Sequence, residues 1–133
     1  MRCVGVALLA LGCLGIAGCD LSQPVGYETK RVEGGDAAQG LALVAGGTYG
    51  CAACHVIPGI RMPRGVAGPA LGGMAQRGFI AGQLPNKPGV LVAFLQNPPA
   101  LVPATGMPNV GLTTDEAKHI AAFLYTLRQP DAR

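Results

Sequence analysis

The chain has no Trp and only three Tyr and three Phe among its 133 residues. Aromatic side chains are the bulkiest apolar units available to a core, so a core built from this sequence alone is short of material. Charge is scarce too, at 13% of the chain. The formal net charge is +3. From residue 19 onward, nine basic against seven acidic side chains leave +2. So small a balance supplies no global steering field and gives no ground for a nucleic-acid partner. There are only two His, and no internal repeat is visible. What the chain has in quantity is turn formers, 21 Gly and 11 Pro, so much of it must be loop. A loop-rich domain with few large side chains struggles to bury a sufficient core. Composition therefore asks for apolar mass from a bound group.

The five cysteines divide cleanly. Cys3 and Cys13 lie in an apolar leader and Cys19 ends it. Cys51 and Cys54 belong to Cys51-Ala52-Ala53-Cys54-His55, so no thiol is left for a structural disulfide. The C-x-x-C-H order is the signature of covalent haem attachment. On a helical turn, Cys51 and Cys54 fall at i and i+3 and share one face, suited to thioether bonds with the two vinyl groups. His55 follows at once, so its imidazole can bind the iron. A zinc site needs another Cys/His pair, and the chain has none. A thioredoxin-like dithiol expects a βαβ setting, which the pattern does not provide.

Residues 1–18 read as an export signal. Arg2 gives a short positive start, and Cys3 to Gly18 carries no charge. That run is about as long as a signal core and short for a membrane span. Its end, Ile16-Ala17-Gly18-Cys19, resembles the bacterial lipobox, which implies cleavage before Cys19 and acylation of its thiol. Residues 19–35 show no apolar period and read as the lipidated N-terminus and a flexible tether. The rest, 36–133, is one domain.

Within that domain, Asp36 is an N-cap with Gln39 as a partial capping box. The spacing predicts a helix to about Gly46 with Ala37, Leu41, Val44 and Ala45 on its apolar face. Gly40 beside that face suggests close helix contact, since glycine otherwise costs ~1 kcal/mol there. Residues 56–89 are punctuated by Pro58, Gly59, Pro63, Gly65, Gly68, Pro69, Gly72, Gly73 and Pro85, with a short helix expected over Leu71–Arg77. Arg61, Arg64, Arg77 and Lys87 stand in this part with no acid among them. They are candidates for pairing with haem propionates or for a positive rim. A helix over Pro88–Gln96 buries Leu91, Phe94 and Leu95, with Pro88 in its first turn. Asn97-Pro98-Pro99 stops it, and 97–112 reads as loop. Thr113 with Glu116 forms a capping box for a last helix, with Ala117, Ile120, Ala121, Leu124 and Leu127 inward.

Iron held by His55 alone has an open axial position, and what fills it decides between electron transfer and ligand binding. Met62, Met74, Met107 and His119 are the candidates. Met107 ranks first, because it sits in a loop between Gly106 and Pro108, far from His55 in sequence, rather than on an apolar helix face where methionine is filler. His119 falls on the polar face of its helix, with Asp115, Lys118, Ala122 and Thr126.

The order of capped helix, Cys51-Ala52-Ala53-Cys54-His55, Gly68-Pro69, Met107-Pro108 and amphipathic last helix resembles class I monohaem cytochrome c over residues 36–128. The resemblance implies an all-α fold, a few helices and long loops wrapped around one covalent haem c. It also implies that the Pro69 carbonyl accepts a hydrogen bond from His55, orienting the ligand. It places Gly40 and Phe123 at a contact between first and last helices, with Val44 where an aromatic is usual. The segment from Ile57-Pro58-Gly59 to Leu84-Pro85-Asn86 is similar to membrane-associated cytochromes linked to terminal oxidases.

These readings add up to a membrane-anchored electron carrier with His55 and Met107 as axial ligands, on the periplasmic side of the bacterial inner membrane. The expected partners are a terminal oxidase, a quinol-cytochrome c reductase or a dehydrogenase, with the membrane reached through lipid on Cys19. No nucleophile, base or second metal cluster accompanies the motif, so no independent enzyme is expected. The alternatives are a haem-based sensor of diatomic gases with a labile methionine, or a fixed cytochrome subunit of an oxidase or dehydrogenase.

Overall fold

The computed structural model describes residues 30–128. The leader, Cys19 and the tether as far as residue 29 lie outside the described residues. Five helices and a small hairpin follow in chain order: α1 (Ala37–Ala45), α2 (Cys51–Cys54), β1 (Phe79–Ile80), β2 (Leu84–Pro85), α3 (Pro88–Gln96), α4 (Pro98–Leu101) and α5 (Thr114–Leu124). β1 and β2 pair antiparallel, Phe79 opposite Pro85 and Ile80 opposite Leu84. Among the described residues no helix is long and apolar enough to cross a membrane.

α5 is the element on which α1 and α3 pack. Its start is written locally. Thr113 and Glu116 complete the capping box in both directions, and Asp115 and Glu116 lie in the first turn, where acids suit the positive helix end. Ala117, Ile120, Ala121, Phe123 and Leu124 are buried along it. α1 begins at Asp36, whose carboxylate accepts from the Ala38 and Gln39 amides at 2.8 and 3.1 Å. Those bonds, Gln39 foremost, hold the Asp36 carboxyl below its usual range. α3 opens on Pro88 and buries Leu91, Val92, Phe94 and Leu95.

The face of α1 differs from the expected one. Gly40 and Val44 are buried, while Leu41 is 43% exposed and Ala45 is also exposed. The cause is backbone proximity. A Cβ on Gly40 would lie 2.0 Å from the His119 carbonyl oxygen and 2.8 Å from Phe123 Cβ. The contact is centred on the missing side chain, which rotates Leu41 outward.

Three further expectations need correction. The helix expected over Leu71–Arg77 is only a 3-10 turn, Met74–Gln76, because Gly73 before it is left-handed at φ 75. The loop expected over 97–112 contains α4, where Pro98 and Pro99 occupy first-turn positions in which a missing N–H is no loss. The short hairpin, which turns through Ala81 and Gly82, both at positive φ, leaves the all-α fold class as expected. Finally, residues 30–35, expected to belong to the tether, pack on the domain. Val32 is 7% exposed, and Lys30 Nζ donates to the Arg77 carbonyl at 2.8 Å and sits 5.5 Å from the Tyr125 ring centroid. A Cβ on Gly35 would meet the Lys118 carbonyl at 2.7 Å. The arm thus runs back along α5 from Tyr125 toward its first turn.

One buried polar residue joins the halves of the domain. Asn86 is 5% exposed. Its amide donates to the Met74 and Arg77 carbonyls at 2.9 Å each and its oxygen accepts from the Tyr125 hydroxyl at 2.8 Å. Its side-chain amide N–H groups and oxygen are all used, so its burial is tolerated. Burial pushes the Tyr125 phenol up to about 12.

Gly40→Ala sets two effects against each other. Helix propensity gains ~1 kcal/mol. Inserting a methyl against a fixed carbonyl costs more, so a net loss of about 2 kcal/mol is expected in urea unfolding.

Candidate haem site

The attachment motif is a single helical turn, α2. Gly50 opens it at φ 63, a left-handed conformation that a side chain disfavours. Within the turn the Ala53 amide donates to the Gly50 carbonyl and the His55 amide to Cys51, both at 2.9 Å. Ala52 faces the core, Cys51 is half-buried and Cys54 is exposed. Burial pushes the Cys51 thiol up. The two sulfurs therefore flank one side of the turn, one inward and one at the surface. His55 leaves the helix in extended conformation, φ −110 and ψ 140, which carries its ring away from the helix axis.

The following loop folds back over this turn. The Gly65 amide donates to the Ala52 carbonyl at 2.9 Å, Gly68 to Cys54 at 2.8 Å and Leu71 to Val56 at 2.8 Å. Two glycines in it are set by proximity. A Cβ on Gly65 would lie 1.9 Å from the Ala53 carbonyl oxygen, and one on Gly68 would lie 2.4 Å from His55 Cε1. Gly68 therefore lets the chain lie against the imidazole. The next residue takes hold of it: His55 Nδ1 is 2.7 Å from the Pro69 carbonyl oxygen. A carbonyl can only accept, so Nδ1 carries the proton and Nε2 keeps its lone pair for a metal. Arg77 braces this segment by donating to the Ala70 and Gly72 carbonyls, the latter at 3.0 Å.

The remaining candidates are spread out. Met74 is 5% exposed in the core and Met62 is 81% exposed. His119 is half-buried and its Nδ1 accepts from the Asp36 amide at 3.0 Å, a joint between α1 and α5. Met107 is half-buried and packs against the core. Its amide donates to Thr105 Oγ1 at 3.2 Å, and buried Val102 and Leu112 anchor the loop at either end. Sequence reasoning missed the bracing role of Arg77, read as a propionate partner or a rim charge, and the Asn86 junction. It also missed a bond from Tyr49 to Glu116. None of these leaves a local pattern, because each partner is distant in sequence or is a main-chain carbonyl.

The donor set fits a covalent haem: two thiols on one helical face, and beside them an imidazole oriented through Nδ1 with Nε2 available. A turn of this kind inside a small helical domain with long loops defines a monohaem protein of the class I cytochrome c fold. Residues 37–128 match the family Cytochrome c, and the chain belongs to that family. It carries covalently bound c-type haem, and its business is haem-based electron transfer. Comparison with curated proteins finds no match.

Gly68→Ala pushes the imidazole off its Pro69 anchor. Losing an outer-shell partner of this type weakens a metal–ligand bond on the order of tenfold. The His55–iron bond should therefore be lost at lower temperature than in wild type. The visible spectrum of the purified protein on heating reads this. Haem staining on denaturing gels should persist, since Cys51 and Cys54 are untouched.

Proposed function

We propose that this chain is an exported, membrane-tethered carrier of single electrons rather than an enzyme. In this reading His55 and Met107 are the axial ligands, and lipid on Cys19 anchors the protein to the periplasmic face of the inner membrane. The observation that carries the proposal is the His55–Pro69 hydrogen bond at 2.7 Å, which fixes the tautomer and heading of the proximal ligand. Bound haem supplies a one-electron iron couple; the protein's part is to hold both axial positions and expose an edge. Met107 is favoured by what the alternatives are doing. Met74 is committed to the core, Met62 to solvent and the His119 Nδ1 to α1. A nitrogen and a thioether together leave no vacant position, so little rearrangement opposes transfer, and the sulfur raises the potential.

Exposed Cys54 marks the edge through which a partner would exchange electrons. Beside it, the loop pinned by Gly65 carries Met62 and Val66, 81% and 86% exposed. Arg61 and Arg64 flank them and are exposed too. Between Asp36 and Asp115 the sequence has no acidic residue, and among the described residues neither guanidinium is in an ion pair. Arg77, by contrast, is occupied with main-chain carbonyls. An apolar centre with a positive margin suits a partner of the opposite charge, such as a terminal oxidase, a quinol-cytochrome c reductase or a dehydrogenase.

Two experiments test the reading. Met107→Ala should abolish the long-wavelength absorption band of ferric iron bound to methionine sulfur and open ferrous iron to carbon monoxide. A variant still six-coordinate through a native side chain would remove Met107 from the site. Electron transfer to oxidase-containing membranes of the producing bacterium should slow as ionic strength rises. The double charge reversal Arg61→Glu, Arg64→Glu should flatten or invert that slope; a rate independent of salt in the wild type would sink the charge-guided docking.

A further inference from the structure

We propose that Glu116 is a positioning residue which couples the two sides of the haem site through Tyr49 and Thr113, and thereby sets how firmly the Met107 sulfur is held. The inference rests on the Met107 ligation proposed above.

Each oxygen of the Glu116 carboxylate has a different task. Oε1 accepts from the Tyr49 hydroxyl. Oε2 accepts from the Thr113 amide at 2.9 Å and from the Thr113 hydroxyl at 2.6 Å. Tyr49 stands two residues before Cys51, at the approach to the turn that carries both sulfurs and His55. Thr113 closes the loop that bears Met107, directly after buried Leu112. That loop has limited slack. Gly111 turns at φ 79 with its amide held by Asn109 Oδ1 at 2.8 Å, and the Met107 amide is tied to Thr105. A rigid, planar carboxylate cannot shift toward one partner without pulling on the other. The segment leading to His55 and the segment leading from Met107 are thus referenced to one group.

The charge on that group is secure. The Thr113 hydroxyl, then Tyr49, then the Thr113 amide hold the Glu116 carboxyl down at about 2, and bonds to an ionised acceptor are stronger than neutral ones. A capping box needs only the Thr113 half of this arrangement. The Tyr49 half adds nothing to the helix cap, and its span of 67 residues is what a link between two distant segments requires.

Tyr49→Phe removes the link and leaves the capping box intact. It is to be studied in the full-length, haem-loaded protein beside Lys118→Ala, which removes the Lys118–Asp115 ion pair on the same helix and serves as control. Three readings are taken: the ferric methionine–sulfur band against temperature, far-UV unfolding of the same sample, and carbon monoxide uptake by the ferrous form. In Tyr49→Phe the band should fade at clearly lower temperature while far-UV unfolding moves little. Carbon monoxide uptake should rise about fivefold, the effect of one ordinary hydrogen bond. Glu116→Gln, which keeps a capping box but loses the charge, should fall between, and Lys118→Ala should match wild type. A Tyr49→Phe protein whose band and uptake equal wild type overturns the coupling while Met107 ligation stands. So does a band that fades only together with far-UV unfolding, since that marks a brace for the fold alone. A wild-type protein without the band overturns the Met107 ligation, and the coupling with it.

Discussion

The hydrogen bond from His55 Nδ1 to the Pro69 carbonyl is the constraint around which the rest of the domain is arranged. It decides which ring nitrogen is protonated and therefore which one can meet iron. It is made possible by Gly68, which brings the main chain against the imidazole. Arg77 steadies it from behind by holding the carbonyls of Ala70 and Gly72. The Arg77 carbonyl is in turn fixed by the buried Asn86 amide and by Lys30. Orientation at the ligand is thus maintained by successive polar contacts that end in the core of the domain, at Tyr125.

A chain with few aromatics must achieve this order economically. It does so by close main-chain approach instead of bulk. Gly40 lets α1 and α5 touch at the backbone, and Gly65 does the same between the loop and α2. Contacts of this kind recruit many small dispersion terms without large side chains. Asn86 supplies directional bonds where apolar volume is short, at no cost in unpaired groups. The covalent cofactor contributes the remaining apolar mass that the composition asks for.

What was legible in the sequence is what is encoded locally. The C-x-x-C-H turn, the Asp36 cap, the Thr113–Glu116 capping box and the Pro88 start of α3 depend on neighbours within a few residues. All of them stand in the structure as read. The inward stripe of α5 follows its period. The errors share a different cause. Leu41 was placed inward because periodicity counts hydrophobic side chains and cannot register that an absent one forms the contact. Arg77 was read as a propionate partner or a rim charge because main-chain carbonyls leave no mark in a sequence. The role of His119 as a joint went unread because its partner amide lies 83 residues away. The arm of residues 30–35 was read as tether because a single buried valine has no period. The Pro69 contact came through the resemblance to a known family, and no local pattern would have supplied it.

The packed arm alters the reach of the molecule. With Lys30 secured against Arg77 and Tyr125, ten residues, 20–29, separate the packed arm from Cys19, the proposed lipid site. Ten residues pulled straight span at most ~35 Å, so lipid on Cys19 would hold the start of the packed arm within that distance of the bilayer. Confinement on that scale corresponds to an effective concentration in the millimolar range for any neighbour in the same membrane. A carrier so restrained gains little from tight binding and loses turnover through slow release. Under the proposed anchoring it would suit exchange between complexes that stand side by side in one membrane.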